Sequence, residues 1–228
     1  MDLQANLDAI RQRIAATCSS CGRDPKTVRL VAVSKLQPAA AISEAAAAGQ
    51  QLFGENYVQE LLAKQEELSA PVQWHFIGAL QSNKVKYLQG KVELIHSVDR
   101  FSLAQEISRQ WGKAGEVANI LIEVHLGDET SKAGVAAAEA EALVRQIAAL
   151  PHLRIRGLMA LPPYCDEPEE VRPYFRQLRQ LAQQLAALNL PAVTMEELSM
   201  GMSHDFTVAI EEGATLVRVG TAIFGART

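Results

Sequence analysis

Eight short apolar segments, each followed by a segment with helical spacing, constrain the fold of this chain more than any other feature. Each is as long as one strand and is rich in aliphatic residues, which is typical of strands buried in a parallel sheet. The predicted strands span residues 29–34, 51–56, 74–78, 94–98, 119–125, 154–160, 195–200 and 215–220. Eight strand–helix repeats in one chain predict a sheet that closes into a barrel.

The segments between the predicted strands carry apolar residues at helical spacing. The predicted helices span 38–48, 58–68, 84–88, 101–113, 136–150, 169–188 and 204–212, with a short terminal helix. An extra N-terminal helix over 3–18 precedes the first strand. The predicted fold class is therefore α/β, a single (β/α)₈ TIM barrel over residues 1–228. An open doubly wound sheet is the alternative, but SKLQP stands where its glycine-rich phosphate loop would follow strand one.

Charge and cysteine content restrict the partners and the compartment. The 228-residue chain has a formal net charge of −4 and no basic block, which disfavours nucleic acid or an anionic membrane surface as the main partner. Its charged N-terminal segment lacks the apolar core of a signal peptide, and no segment is apolar enough to span a bilayer. Three cysteines are too few for a disulfide framework, so we expect a cytoplasmic protein.

Two further sequence features favour a structural interpretation. Cys18 and Cys21 form a C-x-x-C, but the pair ends a helix and has no second pair to complete a zinc site. His75 and His96 lie in predicted strands, where hydrogen-bonded core histidines are more common than ligands. No spacing typical of metal ligands occurs, and we predict no metal.

Polar residues follow the predicted strands at their C-terminal ends, where barrel proteins build their sites. Lys35 comes directly after VAVS and is expected at the mouth of the barrel. A lysine among apolar neighbours has a lowered pKa, which favours condensation of its amine with a carbonyl. An isolated lysine after a strand is usually only a solvated loop residue, so this position needs support from other residues.

That support comes from the segments after strands seven and eight. LSMGMSHDF and VRVGTAIFG each place glycine and a hydroxyl residue (Ser203 or Thr221) before a helix. Glycine allows close approach of the backbone to an anion, and N–H and hydroxyl groups are donors for phosphate. Either residue alone could be an ordinary helix N-cap. A lysine that condenses with a carbonyl, together with two segments that donate hydrogen bonds to a phosphate, predicts pyridoxal 5′-phosphate (PLP).

The sequence resembles the PLP homeostasis protein family (the YggS/PROSC type), which is similar to the barrel half of alanine racemase. The segments that carry the resemblance are VAVSK (31–35), FGENYVQE (53–60), WHFIGALQSNK (74–84), HSVDR (96–100), ETSKAGV (129–135), RGLMALP (156–162), LSMGMSHDF (198–206) and VRVGTAIFG (217–225). They extend from the first strand to the C-terminus. The resemblance implies the type III fold of PLP-binding proteins.

The resemblance also implies a set of cofactor-binding residues, with PLP held as a Schiff base on Lys35. Ser203, Gly220 and Thr221 would contact the phosphate, Asn56 and Met200 would border the cofactor, and Arg218 would face the pyridine nitrogen. One departure is visible, because the family usually has Asn after the valine of strand five and this chain has His125. This departure puts in doubt the polar contacts expected at that position.

Arg218 separates the functional hypotheses. A guanidinium only donates, so facing the ring nitrogen it keeps the pyridine unprotonated and weakens the electron sink that stabilises a carbanion. An inward strand residue paired with Glu196 or Glu197 is the structural alternative. The favoured function is a monomeric, non-catalytic PLP carrier with apo PLP-dependent enzymes as recipients and no catalytic residue. The alternatives are an amino-acid racemase and a cofactor-free Schiff-base aldolase.

Overall fold

Eight parallel strands form a closed barrel in the computed structural model, which describes residues 2–127 and 133–225. The barrel strands are β1 (Arg29–Val33), β2 (Leu52–Glu55), β3 (Gln73–Phe76), β4 (Leu94–Val98), β5 (Ala118–His125), β7 (Leu153–Ala160), β8 (Val193–Ser199) and β9 (Leu216–Val219). Neighbours in the chain pair with one another, β5 pairs with β7, and β9 pairs with β1 to close the ring. The predicted TIM barrel and all eight predicted strands are confirmed.

Helices surround the barrel and connect its strands. They are α1 (Leu3–Ser20), α2 (Ala39–Ala47), α3 (Val58–Glu67), α4 (Phe101–Ala114), α5 (Ala140–Ala148), α6 (Arg172–Ala186), α7 (Phe206–Glu211) and α8 (Thr221–Phe224). A 3-10 helix over Ser82–Tyr87 replaces an α-helix between β3 and β4. The start of the predicted helix over 136–150 is wrong, because Val135–Ala136 form a short strand, β6, which pairs with β5 outside the ring.

The alternation of side chains along each strand separates two apolar regions. A large core lies between strands and helices, and α1 contributes Leu3, Leu7, Ile10, Ile14 and Cys18 to it. A separate cluster contains one residue from each of six barrel strands: Val31, Leu52, Leu94, Leu121, Met159 and Leu216. Since alternate residues of a strand share a face, this cluster is the apolar layer inside the barrel. None of the described helices has the length and hydropathy needed to cross a bilayer.

A polar layer lies above the apolar layer, towards the C-terminal ends of the strands. Residues two positions after members of the apolar cluster point to the same interior face. His96 follows Leu94, Glu123 follows Leu121 and Arg218 follows Leu216, and all three polar side chains are buried. The strand pattern therefore places charged groups inside the barrel, directly below its mouth.

Candidate functional site

Lys35 lies in a tight turn at the C-terminal end of β1. The Gln37 N–H donates to the Ser34 carbonyl over 3.0 Å and closes the turn. Lys35 is partly buried, whereas Leu36 is 64% exposed and has a φ of +62°. The turn places Lys35 at the mouth of the barrel, in agreement with its position in the sequence.

Three charged residues to which the sequence analysis assigned no role surround this turn. Lys64 on α3 is 5% exposed and contacts Glu55 at 2.7 Å and Glu60 at 2.6 Å. Burial raises the pKa of Glu55, and hydrogen bonds from Lys64 and Ser34 oppose the increase. A sequence signal existed, because Lys64 continues the buried spacing of Val58 and Leu61 along α3. A lysine at a core position of a helix indicates a buried charge partner.

Ser203 and Thr221, predicted from two separate segments, lie side by side. The Thr221 hydroxyl donates to the Ser203 hydroxyl over 3.1 Å, and the Ala222 N–H donates to the same Ser203 oxygen over 3.4 Å. Gly220 immediately precedes α8 and leaves its backbone partly exposed. The loops after β8 and β9 therefore present a compact group of hydroxyl and N–H donors.

Asp205 holds the loop that carries Ser203. Its carboxylate accepts the Met202 N–H over 2.6 Å, and its side chain is buried. Burial raises the pKa of Asp205, whereas the Met202 hydrogen bond and the charge of Arg218 lower it. Asp205 was within a motif quoted from the sequence, but its role depends on a loop geometry that the motif does not specify.

Arg218 is buried inside the barrel and does not pair with Glu196 or Glu197, which contradicts the structural alternative. It donates to the Ser199 hydroxyl over 2.5 Å and to the Ala160 carbonyl over 2.9 Å. The two glutamates instead accept from Arg156 and Arg29. Burial lowers the pKa of Arg218 to about 10, and the charges of Glu123 and Asp205 partly offset this effect.

A hydrogen-bonded chain extends from Arg218 through the polar layer. Ser199 bonds to His96 Nδ1 at 2.9 Å, and His96 Nε2 bonds to His75 Nδ1 at 2.9 Å. Because Arg218 only donates, the three contacts are consistent when Ser199 accepts from Arg218 and donates to His96, and His96 donates to His75. The prediction that both histidines are hydrogen-bonded and buried is confirmed.

His75 and His96 are both neutral at physiological pH. Burial lowers the pKa of His75 to about 3, and the charge of Arg29 adds to the effect. Burial also lowers the pKa of His96, followed by the charges of His75, Arg218 and Arg29. The neutral rings connect to Arg218 through Ser199 without adding a second positive charge beside it.

Glu123 is the titrating group of the polar layer. Its pKa is raised from 4.5 to about 7, because burial and the charge of Asp99 raise it more than the charge of Arg218 lowers it. Between these two pH values the folded protein retains a proton that the unfolded chain releases, so stability decreases as pH rises. The difference between the two pKa values corresponds to about 3 kcal/mol in the free energy of unfolding. This stabilisation is present below pH 4.5 and is lost above pH 7.

We predict that Glu123→Gln removes this part of the pH dependence. The variant should be more stable than the wild type by about 3 kcal/mol at pH 8 and by less than about 1 kcal/mol at pH 5. Urea unfolding at the two pH values measures the difference. Glu141→Gln, at an exposed position on α5, is the control. An unchanged pH dependence in Glu123→Gln would contradict the assignment.

The remaining predicted residues occupy different environments. Asn56 is partly buried after β2, and its Oδ1 has no hydrogen-bond partner among the described residues. Met200 is fully buried in the core between strands and helices. His125 ends β5 with a buried Nε2 that finds no partner in the described chain. Residues 129–132 of the ETSKAGV segment lie outside the described residues.

The described residues offer little support for other kinds of site. No group of three His, Cys, Asp or Glu side chains in the described ranges could hold a metal ion. A cleft of about 800 Å³ lies at the opposite, N-terminal end of the strands. Its arginines already pair with carboxylates: Arg29 with Glu197 and Arg156 with Glu196, each at 2.6 Å. Lys35 and the hydroxyl pair lie at the other end of the barrel, where sites of this fold are built.

Comparison with known proteins identifies the family. The model of the alanine racemase N-terminal domain matches residues 5–228. The pyridoxal phosphate homeostasis protein of Aquifex aeolicus is 47% identical over 228 residues, covering 100% of this chain and 99% of that protein. The protein of the same name from Escherichia coli K12 is 44% identical over 230 residues, covering 99% and 97%. The chain therefore belongs to the alanine racemase N-terminal domain family and, within it, to the pyridoxal phosphate homeostasis proteins.

Solved structures agree with this assignment. PipY of Synechococcus elongatus PCC7942, solved without PLP, has a TM-score of 0.83 at 43% identity and covers 95% of this chain and 100% of that chain. The same protein with PLP bound has a TM-score of 0.81 at 41% identity, covering 93% and 100%. Alanine racemase from Corynebacterium glutamicum is 18% identical with a TM-score of 0.68, and covers 97% of this chain but 62% of that chain. The likeness to the racemase shows the fold alone.

Proposed function

We propose that this protein binds PLP covalently through Lys35 and acts in PLP homeostasis as a carrier and regulator. The observation that carries the proposal is the arrangement of the barrel mouth. Lys35 follows β1, and the Ser203–Thr221 pair follows β8 and β9; β9 is the neighbour of β1 in the ring, and β8 is the neighbour of β9. An amine and a group of phosphate donors therefore occupy adjacent parts of one face. PipY, a relative 41% identical to this chain, has been solved with PLP bound.

The donor set fits PLP chemically. When bound, PLP supplies an aldehyde carbon that forms an imine with a lysine amine and releases water, and a phosphate that requires hydrogen-bond donors. Lys35 provides the amine, and Ser203, Thr221 and the backbone at Gly220 provide the donors. The buried Oδ1 of Asn56, which has no hydrogen-bond partner among the described residues, is an acceptor suited to a polar substituent of the ring. Met200 is fully buried in the core between strands and helices, at the start of the loop that carries Ser203.

Arg218 favours a carrier over an enzyme that forms carbanions. Its guanidinium is held by Ser199 and Ala160, and it carries a permanent positive charge in the polar layer. A fixed cation facing the pyridine nitrogen disfavours protonation of that nitrogen, which PLP enzymes need for a strong electron sink. We therefore propose that the protein has no catalytic turnover.

A racemase is the second candidate, because the fold is that of the alanine racemase barrel domain. The chain spans about three fifths of the racemase length, 62% in the case of the Corynebacterium enzyme. Exchange of the Cα hydrogen of added amino acids with solvent deuterium separates the two candidates. A carrier shows no exchange that depends on Lys35, whereas a racemase shows rapid exchange that the Lys35→Ala variant loses.

The experiment that tests PLP binding is the visible absorption spectrum of the purified protein, followed by borohydride reduction and peptide mass analysis. A yellow protein whose reduced adduct maps to Lys35 is the expected result. A colourless protein that stays unlabelled after incubation with PLP would refute the proposal. It would favour a cofactor-free aldolase that uses the same lysine.

We further propose that the protein is a single-domain monomer in the cytoplasm that donates PLP to apo PLP-dependent enzymes. Three thiols, Cys18, Cys21 and Cys165, are free, which suits a reducing compartment. Sedimentation analysis tests the monomer. Activation of an apo-enzyme by the PLP-loaded protein, in the presence of a trap for free PLP, tests direct transfer.

A further inference from the structure

Lys64 forms an unusually complete set of hydrogen bonds for a buried lysine. Its ammonium lies 2.7 Å from the Ser34 carbonyl, 2.7 Å from Glu55 Oε1 and 2.6 Å from Glu60 Oε1. An ammonium has three hydrogens, so each finds an acceptor. Lys64 therefore links α3 to both the end of β2 and the turn after β1.

Lys64 and Glu60 hold the peptide groups on either side of Lys35, and Glu55 holds the Ser34 side chain. The Ser34 carbonyl, before Lys35, accepts from Lys64, and the Leu36 N–H, after Lys35, donates to the Glu60 carboxylate. The Ser34 hydroxyl also donates to Glu55 over 2.6 Å. Because both flanking peptide planes are held, the direction of the Cα–Cβ bond of Lys35 is determined.

The conformation of Leu36 explains why the turn needs such support. Its φ of +62° lies in the left-handed region, which residues other than glycine adopt reluctantly. Its side chain is 64% exposed, so burial contributes little to stabilise this conformation. The hydrogen bond from the Leu36 N–H to Glu60 is a contact that favours it.

We propose that Glu55, Glu60 and Lys64 are positioning residues that hold the turn of residues 34–37 and so direct the Lys35 amine towards bound PLP. The inference rests on the proposed function, since it assigns these residues a part in the covalent binding of PLP at Lys35. They act through the backbone on either side of Lys35. Ordinary structural ion pairs would contribute to stability without affecting the reaction of the lysine.

Glu60→Ala tests the proposal, because it removes the acceptor of the Leu36 N–H and leaves the core intact. Glu106→Ala on α4 is the matched control. The Glu60 and Glu106 side chains are 20% and 22% exposed, and each pairs with a cation on its own helix. Glu60→Gln is the conservative variant, since its amide oxygen can still accept the Leu36 N–H.

We expect Glu60→Ala to raise the dissociation constant for PLP at least about tenfold, as loss of a charge-assisted hydrogen bond does. Glu60→Gln should remain within about threefold of the wild type, because a neutral acceptor is retained. Glu106→Ala should bind as the wild type does. In the protein without PLP, amide exchange at Leu36 should be slow in the wild type and fast only in Glu60→Ala.

Each outcome has a definite meaning. Wild-type affinity in a folded Glu60→Ala whose Leu36 amide exchanges fast would overturn the inference. If Glu60→Ala does not fold, Glu60→Asp replaces it, since the shorter side chain withdraws the carboxylate from Leu36. Wild-type affinity for PLP in Glu60→Asp, with fast amide exchange at Leu36, would also overturn the inference. A wild-type protein that never links PLP to Lys35 refutes the proposed function instead, while the exchange data still report on the turn.

Discussion

We expect Lys35→Ala to abolish the proposed covalent attachment of PLP while leaving the barrel folded. The Lys35 amine lies at the mouth with the hydroxyl donors, and its removal takes away the group that we propose bonds the aldehyde carbon. Lys35 is partly buried in a turn after β1 and belongs to neither apolar core. The free energy of unfolding should therefore change by less than about 1 kcal/mol.

The measurement is borohydride reduction in the presence of PLP, followed by peptide mass analysis and urea unfolding. Lys113→Ala, at an exposed position in the last turn of α4, is the control and should label at Lys35 as the wild type does. Equal labelling of the Lys35→Ala protein at another lysine would show that Lys35 is not the attachment site. A Lys35→Ala protein that fails to fold would show that the lysine is structural.

Gly157→Ala should destabilise the protein by about 4 kcal/mol or more. A Cβ at Gly157 would lie 1.8 Å from the Glu197 carbonyl oxygen and 2.7 Å from its carbonyl carbon. Both atoms belong to the backbone of β8, which cannot move without breaking its pairing with β7. The close approach arises at an irregularity in the pairing of the two strands. Ile155 pairs with Val193 and Gly157 pairs with Glu197, so two residues along β7 correspond to four residues along β8.

Urea unfolding, with far-UV circular dichroism as the signal, measures the effect of Gly157→Ala. Gly115→Ala is the control, since Gly115 ends α4 with a φ of +68° and a Cβ there meets no atom within 4 Å. Gly115→Ala should lower the free energy of unfolding by about 1 kcal/mol, because alanine disfavours the left-handed conformation at this position. A Gly157→Ala protein as stable as the Gly115→Ala protein would contradict the packing of β7 against β8.

Much of the site is determined by local features of the sequence. Lys35 comes directly after a strand, and Ser203 and Thr221 begin the segments after two other strands. In a closed parallel barrel, all residues at the C-terminal ends of strands lie on one face, whatever their distance in the chain. A correct strand assignment was therefore sufficient to bring the lysine and the hydroxyl pair to one mouth.

Other features depend on partners that local periodicity does not specify. His96 and Ser199 are 103 residues apart in the chain, yet their side chains lie 2.9 Å apart. The contact requires the register of the strands and the size of the barrel, which are properties of the closed ring. The sequence indicated Glu196 or Glu197 as the structural partner of Arg218, whereas the tertiary structure pairs Arg218 with Ser199, which lies on the same strand as the two glutamates.

The sequence by itself determined the order of strands and helices, the closed barrel and the mouth position of Lys35, because these depend on spacings of two to four residues along the chain. Only the tertiary structure decided that Lys64 is buried against Glu55 and Glu60, and that Arg218 bonds to Ser199. The physical reason is that burying a charge is favourable only when oppositely charged or hydrogen-bonding groups surround it. Those groups come from different strands and helices, and folding alone brings them together.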